Sequence, residues 1–448
     1  MHKKRSCMAV LLLLLATSGR ASEPLSPEEG VSTDLAEPPA RKWSYLMRVE
    51  ATSLALMPRA GVGEDEGFVQ VVPTFILDGG PEFGVNLGAP VRLRLWGGKE
   101  GAPLVRREDW DTLSDWGQLV RGLLLGSDNA PMGIWFGPLE EHRLLSGHLV
   151  RRYSNRTNPD YHPAGGIFTG TLGPLYTEAF ASDVLGARLL GAELSLDLEH
   201  LLVGQPEQRG MFTLAVSAVR DWGRAGGASP SMTLAHLDAM AVVLARPGME
   251  AYVNAGWGGR PGEGGAWGAV VGGGVDSVSE RFNLRLRLEA RRQQGGFRQG
   301  FFGADYELAR FQAAGPDGGP LAEAHFPNGY SGFAEALVEW DAVSYGGPYK
   351  HLSVSVGAEA FSWGRFDVDG RVAVQLFERA LEVALKGLAV GTGKPGARYL
   401  GAAEVRWRFL GGQLYAMGTG GTLLFPTTEG TLRPGAFVSV GLGVDHAR

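Results

Sequence analysis

From Trp43 nearly to the C-terminus one texture repeats. Segments of 9–15 residues alternate apolar with polar or small positions, and short clusters of Gly, Pro, Asp or Asn separate them. Successive side chains of a strand point to opposite faces, so this alternation predicts half-buried strands joined as hairpins. In Phe282–Arg291 one face carries Phe282, Leu284, Leu286, Leu288 and Ala290. The other carries Asn283, Arg285, Arg287, Glu289 and Arg291. Glu404–Phe409, Val91–Trp96 and Phe366–Leu376 repeat the scheme. Read this way, strands are expected over 43–57, 67–77, 82–96, 131–140, 144–153, 165–173, 174–181, 184–198, 210–220, 233–246, 248–257, 266–277, 280–292, 301–313, 330–342, 349–363, 366–376, 379–390, 398–410, 412–424 and 432–444. Some neighbours would merge or fall in loops.

A soluble sandwich also alternates, but three features point to a membrane. The strands are long and charged along one face. The pattern fills nearly all of the chain without a helical domain. Aromatics fall near strand ends, at Trp43, Tyr45, Trp96, Trp257, Tyr349, Trp363 and Tyr415, where interfacial girdles are built. No 18-residue apolar stretch follows the N-terminal segment, so the crossing elements must be strands. The expected fold is all-β: a single transmembrane antiparallel β-barrel over residues 42–448. The hairpin spacing gives about 18 strands, with 16 or 20 also compatible with an even-numbered barrel. The last strand, Ala436–Val444, has Ser439, Gly441 and Val444 in the spacing of a terminal barrel strand, without the usual closing aromatic.

Residues 99–130 break the alternation and form one short helical or irregular insertion, folded inward or docking in the periplasm. Ser114 is placed to cap a helix over 115–125. Asp109, Trp110, Asp111, Asp115 and Trp116 are its candidate gate or docking residues. Polar loops follow at 153–164, 293–300 and 314–329, the last a candidate extracellular loop.

The N-terminus adds an address. Lys3, Lys4 and Arg5 precede the short apolar run Cys7–Ala16, and small residues flank a cleavage position after Ala21. This reads as a secretory signal peptide over 1–21, followed by a flexible leader over 22–41. Cleavage would take the 42 basic residues to 38 against 48 acidic, a net charge of −10, which disfavours a nucleic-acid partner. Cys7, the sole cysteine, would leave too, and with it any disulfide or thiolate site.

The chemistry on offer is charge on the inward face. Arg92, Arg94, Arg285, Arg287, Arg291, Arg371, Arg406 and Arg408 are candidate lumen-lining residues, interleaved with Glu289 and Glu404 and with Glu335, Glu339 and Glu382. Such a wall favours anions and polar solutes, although Arg–Glu ladders also simply brace a barrel. Catalytic signals are weak. His351 and Ser353 share a strand face, as a lipase dyad would, but the pairing is common by chance. His142, His148, His162, His200, His236 and His446 lack metal-ligand spacing, and no phosphate loop is present. The reading is no enzyme, no cofactor and no metal.

Asp109-Trp110-Asp111, Ser114-Asp115-Trp116, Gly137, Gly147-His148 and Arg152-Tyr153-Ser154-Asn155 resemble large outer-membrane barrels of gliding and predatory Gram-negative bacteria. The resemblance covers about residues 90–200 by motif. It implies an outer-membrane location, surrounding lipid and polysaccharide export of the alginate-exporter kind. The expected function is thus an exit channel for anionic or neutral polysaccharide working with a periplasmic partner. The alternatives are a small-solute porin or a structural barrel of an envelope complex.

Overall fold

The alternating segments pair in sequence order, each antiparallel to the next, and the sheet closes on itself. The computed structural model describes residues 43–58, 65–80, 82–98, 101–126, 131–186, 188–204, 210–223, 231–262, 264–279, 281–310, 321, 326–340, 351–377, 380–426 and 431–447. The expected signal peptide, the leader, most of the 314–329 loop, and Tyr349 lie outside them.

The strands are β1 (Ser44–Pro58), β2 (Glu66–Asp78), β3 (Phe83–Gly88), β4 (Val91–Trp96), β5 (Val120–Leu125), β6 (Met132–Gly137) and β7 (Gly165–Leu172). They continue as β8 (Leu175–Ala181), β9 (Leu189–Asp197), β10 (Phe212–Asp221), β11 (Met232–Arg246), β12 (Met249–Gly259), β13 (Trp267–Val278) and β14 (Phe282–Gly295). The ring is completed by β15 (Phe326–Trp340), β16 (Leu352–Phe361), β17 (Phe366–Leu376), β18 (Leu381–Thr392), β19 (Arg398–Phe409), β20 (Leu414–Pro426) and β21 (Leu432–Ala447). β1 pairs with β2 on one side and with β21 on the other, which leaves no edge.

β3 and β4 are one wall position broken at Pro90, which has no backbone N–H to give a ladder. Both run along β2, but only β3 pairs with β5; β4 bridges to Val105 instead. Counting them once gives a closed antiparallel barrel of 20 strands, against the roughly 18 expected.

Sidedness follows the sequence pattern. In β14, Leu286 and Leu288 are 40% and 65% exposed on the outside, while Arg287, Glu289 and Arg291 are at most 5% exposed inside. In water this is inside out. In lipid it is required, since a basic side chain facing the mid-plane costs about 2–4 kcal/mol. Exposed Trp43, Trp340 and Trp407 mark the end of the barrel where β1 begins and β21 ends, and Trp96 and Trp257 mark the opposite end. Tyr415 does not belong to these girdles: it is fully buried inside, and its hydroxyl donates to Glu50 (2.6 Å).

With an even number of wall positions β1 begins and β21 ends at the same end of the barrel. The turns 173–174, 247–248 and 410–413 share that end. The segments that follow β4, β6 and β14 leave from the other. Two expected strands are therefore corrected. Residues 144–153 and 301–310 are not wall strands; their apolar residues pack on one another inside the barrel. Period-two alternation cannot distinguish burial in a plug from burial in a sheet. The 99–130 insertion is also shorter than expected. Thr112 and Asp115, not Ser114, form a capping box on a 3-10 helix over Leu113–Leu119, and Val120–Leu125 is already β5.

Candidate functional site

The barrel interior has two levels. Toward the long-loop end, segments 138–164 and 296–310 fold in and form a core of their own. Leu139, Leu144, Leu149, Val150, Tyr153, Phe297, Phe301, Phe302 and Tyr306 pack against inward Phe180, Leu189, Leu234 and Phe326 of the wall. The two segments are joined by backbone: the Phe302 amide donates to Leu149 O (3.1 Å), the Arg151 amide to Phe302 O (3.1 Å) and the Gly300 amide to His148 O (2.7 Å). Hereafter they are the plug.

Ion pairs and hydrogen bonds tie the plug to the wall around much of its rim. Arg152 reaches Asp369 and Ser355. Tyr153 donates to Glu307 within the plug, and Arg310 spans Glu307 and Asp221 (2.6 Å to the latter). Asp305 accepts from Arg398 of β19, and Arg298 donates to Asp367 (3.1 Å). Ser146 gives both its amide and its hydroxyl to Glu193 (3.0 and 2.9 Å). A buried charge is tolerated only when paired and hydrogen-bonded, and these charges are. Sequence reasoning missed them because half of each pair lies in a segment read as strand or loop.

The residues singled out from the sequence fall into three groups. Arg287 and Arg291 both grip Glu289, and Arg291 adds Glu359 (3.0 Å), all buried beneath the plug. Arg285 is partly buried beside Asp276 (3.5 Å). Arg92 pairs with Asp109 (2.6 Å), and Arg94 with Glu66. Toward the terminal end, Arg406 approaches Glu50 (3.7 Å), and Arg408 joins Arg48 on Asp445. All three guanidiniums surround the Tyr415 ring at 5.0–5.8 Å. Arg371 and Glu404 differ. Arg371 is half-buried and Glu404 exposed, and neither has an ion pair among the described residues. Lys386, opposite Arg371 on β18, is likewise exposed and unpaired.

The gate candidates divide too. Asp109 and Asp115 are fully buried and braced from within. Asp109 accepts from Arg92 and Arg106 (2.6 Å each), and Asp115 from Thr112 and the His162 amide (3.1 Å). Burial pushes the Asp109 carboxyl up, but His162, Arg92 and Arg106 outweigh it and hold it at about 2. Asp111 and Trp116 are exposed, and Trp116 meets the half-buried Trp110 edge to face at 5.2 Å. In the plug, burial together with Arg143 drives the His142 imidazole down to about 3, so it is neutral at pH 7.

One cluster escaped the sequence reading altogether. His148 of the plug meets His236 and Asp238 of β11, all three buried. Of the three, only His236 and Asp238 are close in the chain, two apart on β11. His351 and Ser353, by contrast, share no hydrogen bond; the His351 amide donates to Trp340 O (3.0 Å).

An apolar exterior, a charged interior and a sheet with no edge decide the architecture. This is a plugged β-barrel of the outer-membrane type. No protein-family profile matches the chain, and no curated protein matches it. Among solved structures it is similar to OccAB4 of Acinetobacter baumannii: 8% identity, 92% of this chain and 100% of that one covered, TM-score 0.38. It is similar also to the outer membrane protein OpdK of Pseudomonas aeruginosa (8%, 91% and 99%, 0.38) and to OccK8 (OprE) of that species (9%, 91% and 98%, 0.37). Similarity at this level does not fix an activity, which has to be argued from the barrel interior.

Proposed function

We propose that the protein is an outer-membrane channel for small polar solutes, with a preference for anions. The observation that carries this reading is the division of the interior. The plug packs on β8, β9, β11 and β15 at the long-loop level, while Arg371, Lys386 and Glu404 on β17–β19 stay in contact with water. A side passage past a fixed plug suits a small hydrated solute. An extended polysaccharide chain would need the plug to leave, against the ion pairs that hold it, so the porin alternative is preferred to the export reading. Arg92, Arg94, Arg285, Arg406 and Arg408 keep carboxylate partners and brace the wall. Arg121, bonded to Thr74 (3.0 Å), joins Arg371 and Lys386 as cations without an ion pair among the described residues. These set the sign of the field. The exposed Trp116 and Asp111, on the segment between β4 and β5, are assigned as entry residues.

The test is purified protein in planar lipid bilayers under a salt gradient. Small, steady unitary currents with a reversal potential of anion sign are expected. Silent membranes, or cation selectivity, would sink the proposal. A deletion strain separates the export reading: loss of surface polysaccharide, restored by the gene on a plasmid, would favour export over solute passage.

A further inference from the structure

The plug meets the wall at a point whose chemistry is unlike its other ion pairs. His148 places Nδ1 2.5 Å from Asp238 Oδ1, and His236 places Nδ1 2.9 Å from Asp238 Oδ2. One donor atom from each of the three side chains lies within 4.8 Å of the other two. The imidazoles face each other at 4.9 Å between ring centres. Two imidazoles and a carboxylate are the donor set that borderline divalent ions take, at bond lengths of about 2.0–2.2 Å.

Three further observations point to a ligand here. The wall opposite is hollowed by glycine. Gly258 and Gly256 sit across from His236 and Asp238 in the β11–β12 register. A Cβ at Gly258 would lie 2.3 Å from the His236 ring, and one at Gly256 would lie 2.4 Å from the Asp238 carboxylate. Next, His148 is already oriented from behind: its Nε2 lies 3.0 Å from Glu289 Oε1. A metal-bound histidine characteristically hands its second N–H to a carboxylate in this way. Arg287 also reaches that nitrogen (2.7 Å), but it holds Glu289 as well and keeps that bond when Nε2 carries the proton. Finally, His236 Nε2, on a side chain 2% exposed, has no partner among the described residues. Buried groups left unsatisfied are uncommon unless something else occupies the site.

We propose that His148, His236 and Asp238 bind one divalent transition-metal ion of the zinc class, which staples the plug to β11. A water completes four-coordination. Two ligands come from the wall and one from the plug, so the ion cross-links segments about 90 residues apart in the chain and holds the plug at the wall. The inference concerns plug retention and stands whether or not the channel prefers anions.

The experiment uses full-length protein in detergent, stripped with chelator and titrated with Zn2+ alone. Bound metal is counted after equilibrium dialysis. Hydrogen exchange of residues 140–154 is followed with and without Zn2+. One Zn2+ per chain is expected, together with slower exchange across that segment. Asp238→Asn and His236→Ala should abolish stoichiometric binding, and Glu289→Gln should weaken it about 10–100-fold. His200→Ala and His446→Ala, which alter histidines outside the cluster, should change nothing. Barrel folding is checked for every variant by its heat-modifiable gel mobility; if His236→Ala does not fold, Asp238→Asn decides. Absence of binding at micromolar Zn2+ in the wild type would overturn the site. So would binding that survives Asp238→Asn. Stoichiometric binding with unchanged exchange of residues 140–154 would overturn the staple.

Discussion

In β14, Arg287, Glu289 and Arg291 alternate with leucine and alanine; in β17–β19, Arg371, Lys386 and Glu404 stand at the same inward parity among valine, leucine and alanine. The first three are at most 5% exposed and locked to one another, to Glu359 and to the plug's His148. The second three are half-buried or exposed and unpaired among the described residues. Local sequence does not separate the two strips. What separates them is a third element: the plug packs over β14 and reaches β17 and β19 only at their long-loop ends, through Asp367, Asp369 and Arg398. Charges under the plug are structural, because losing a partner strands a charge away from water. Charges beside it stay in contact with water.

The contrast breaks most sharply at Glu289. Glu289→Ala removes a carboxylate shared by Arg287, Arg291 and His148. Breaking a buried pair by removing one partner costs about 3–5 kcal/mol. Urea unfolding of the detergent-solubilised barrel should show a loss of that size, and the channel should conduct more as the plug loosens. Unchanged stability would mean that water reaches this strip after all.

Acid should act next. His142 is neutral in the folded protein, with its pKa lowered to about 3, while in an unfolded plug it would titrate near the ordinary value of about 6.5. Between these values the unfolded form binds more protons, so stability falls as pH drops below about 6.5 and levels off below about 3. Hydrogen exchange of residues 138–164 should quicken over that window, and His142→Gln should flatten the response. A response that the substitution leaves intact would place the titration elsewhere.

A smaller change is expected at the mouth. Thr112→Ala removes the hydroxyl that donates to Asp115 (2.6 Å) at the start of Leu113–Leu119 and should cost about 1 kcal/mol, seen as more current noise with little change in mean conductance. The smallest stability effect belongs to the open strip. Arg371→Glu and Lys386→Glu should each alter stability by less than about 0.5 kcal/mol, yet together shift the reversal potential toward cations. If these two changes left selectivity alone, the open strip would have no claim on the solute path.

Much of the wall was legible from the chain. Alternation gave the inward parity of Arg285, Arg287, Arg291, Arg406 and Arg408, and the outward leucines that oppose them. It misplaced 144–153 and 301–310, because Leu149, Val150, Phe301 and Phe302 alternate or cluster as strand residues do while packing on each other. It missed the join of His148 to His236 and Asp238, since no spacing rule links residues on a plug to residues on a wall.

The sequence alone determined that strands such as β14 and β19 have one face for lipid and one for charge, because that is written within ten neighbouring residues. Only the tertiary structure decided which charges are buried and which meet water. That choice depends on where two distant segments fold, and on the cost of burying a charge without a partner.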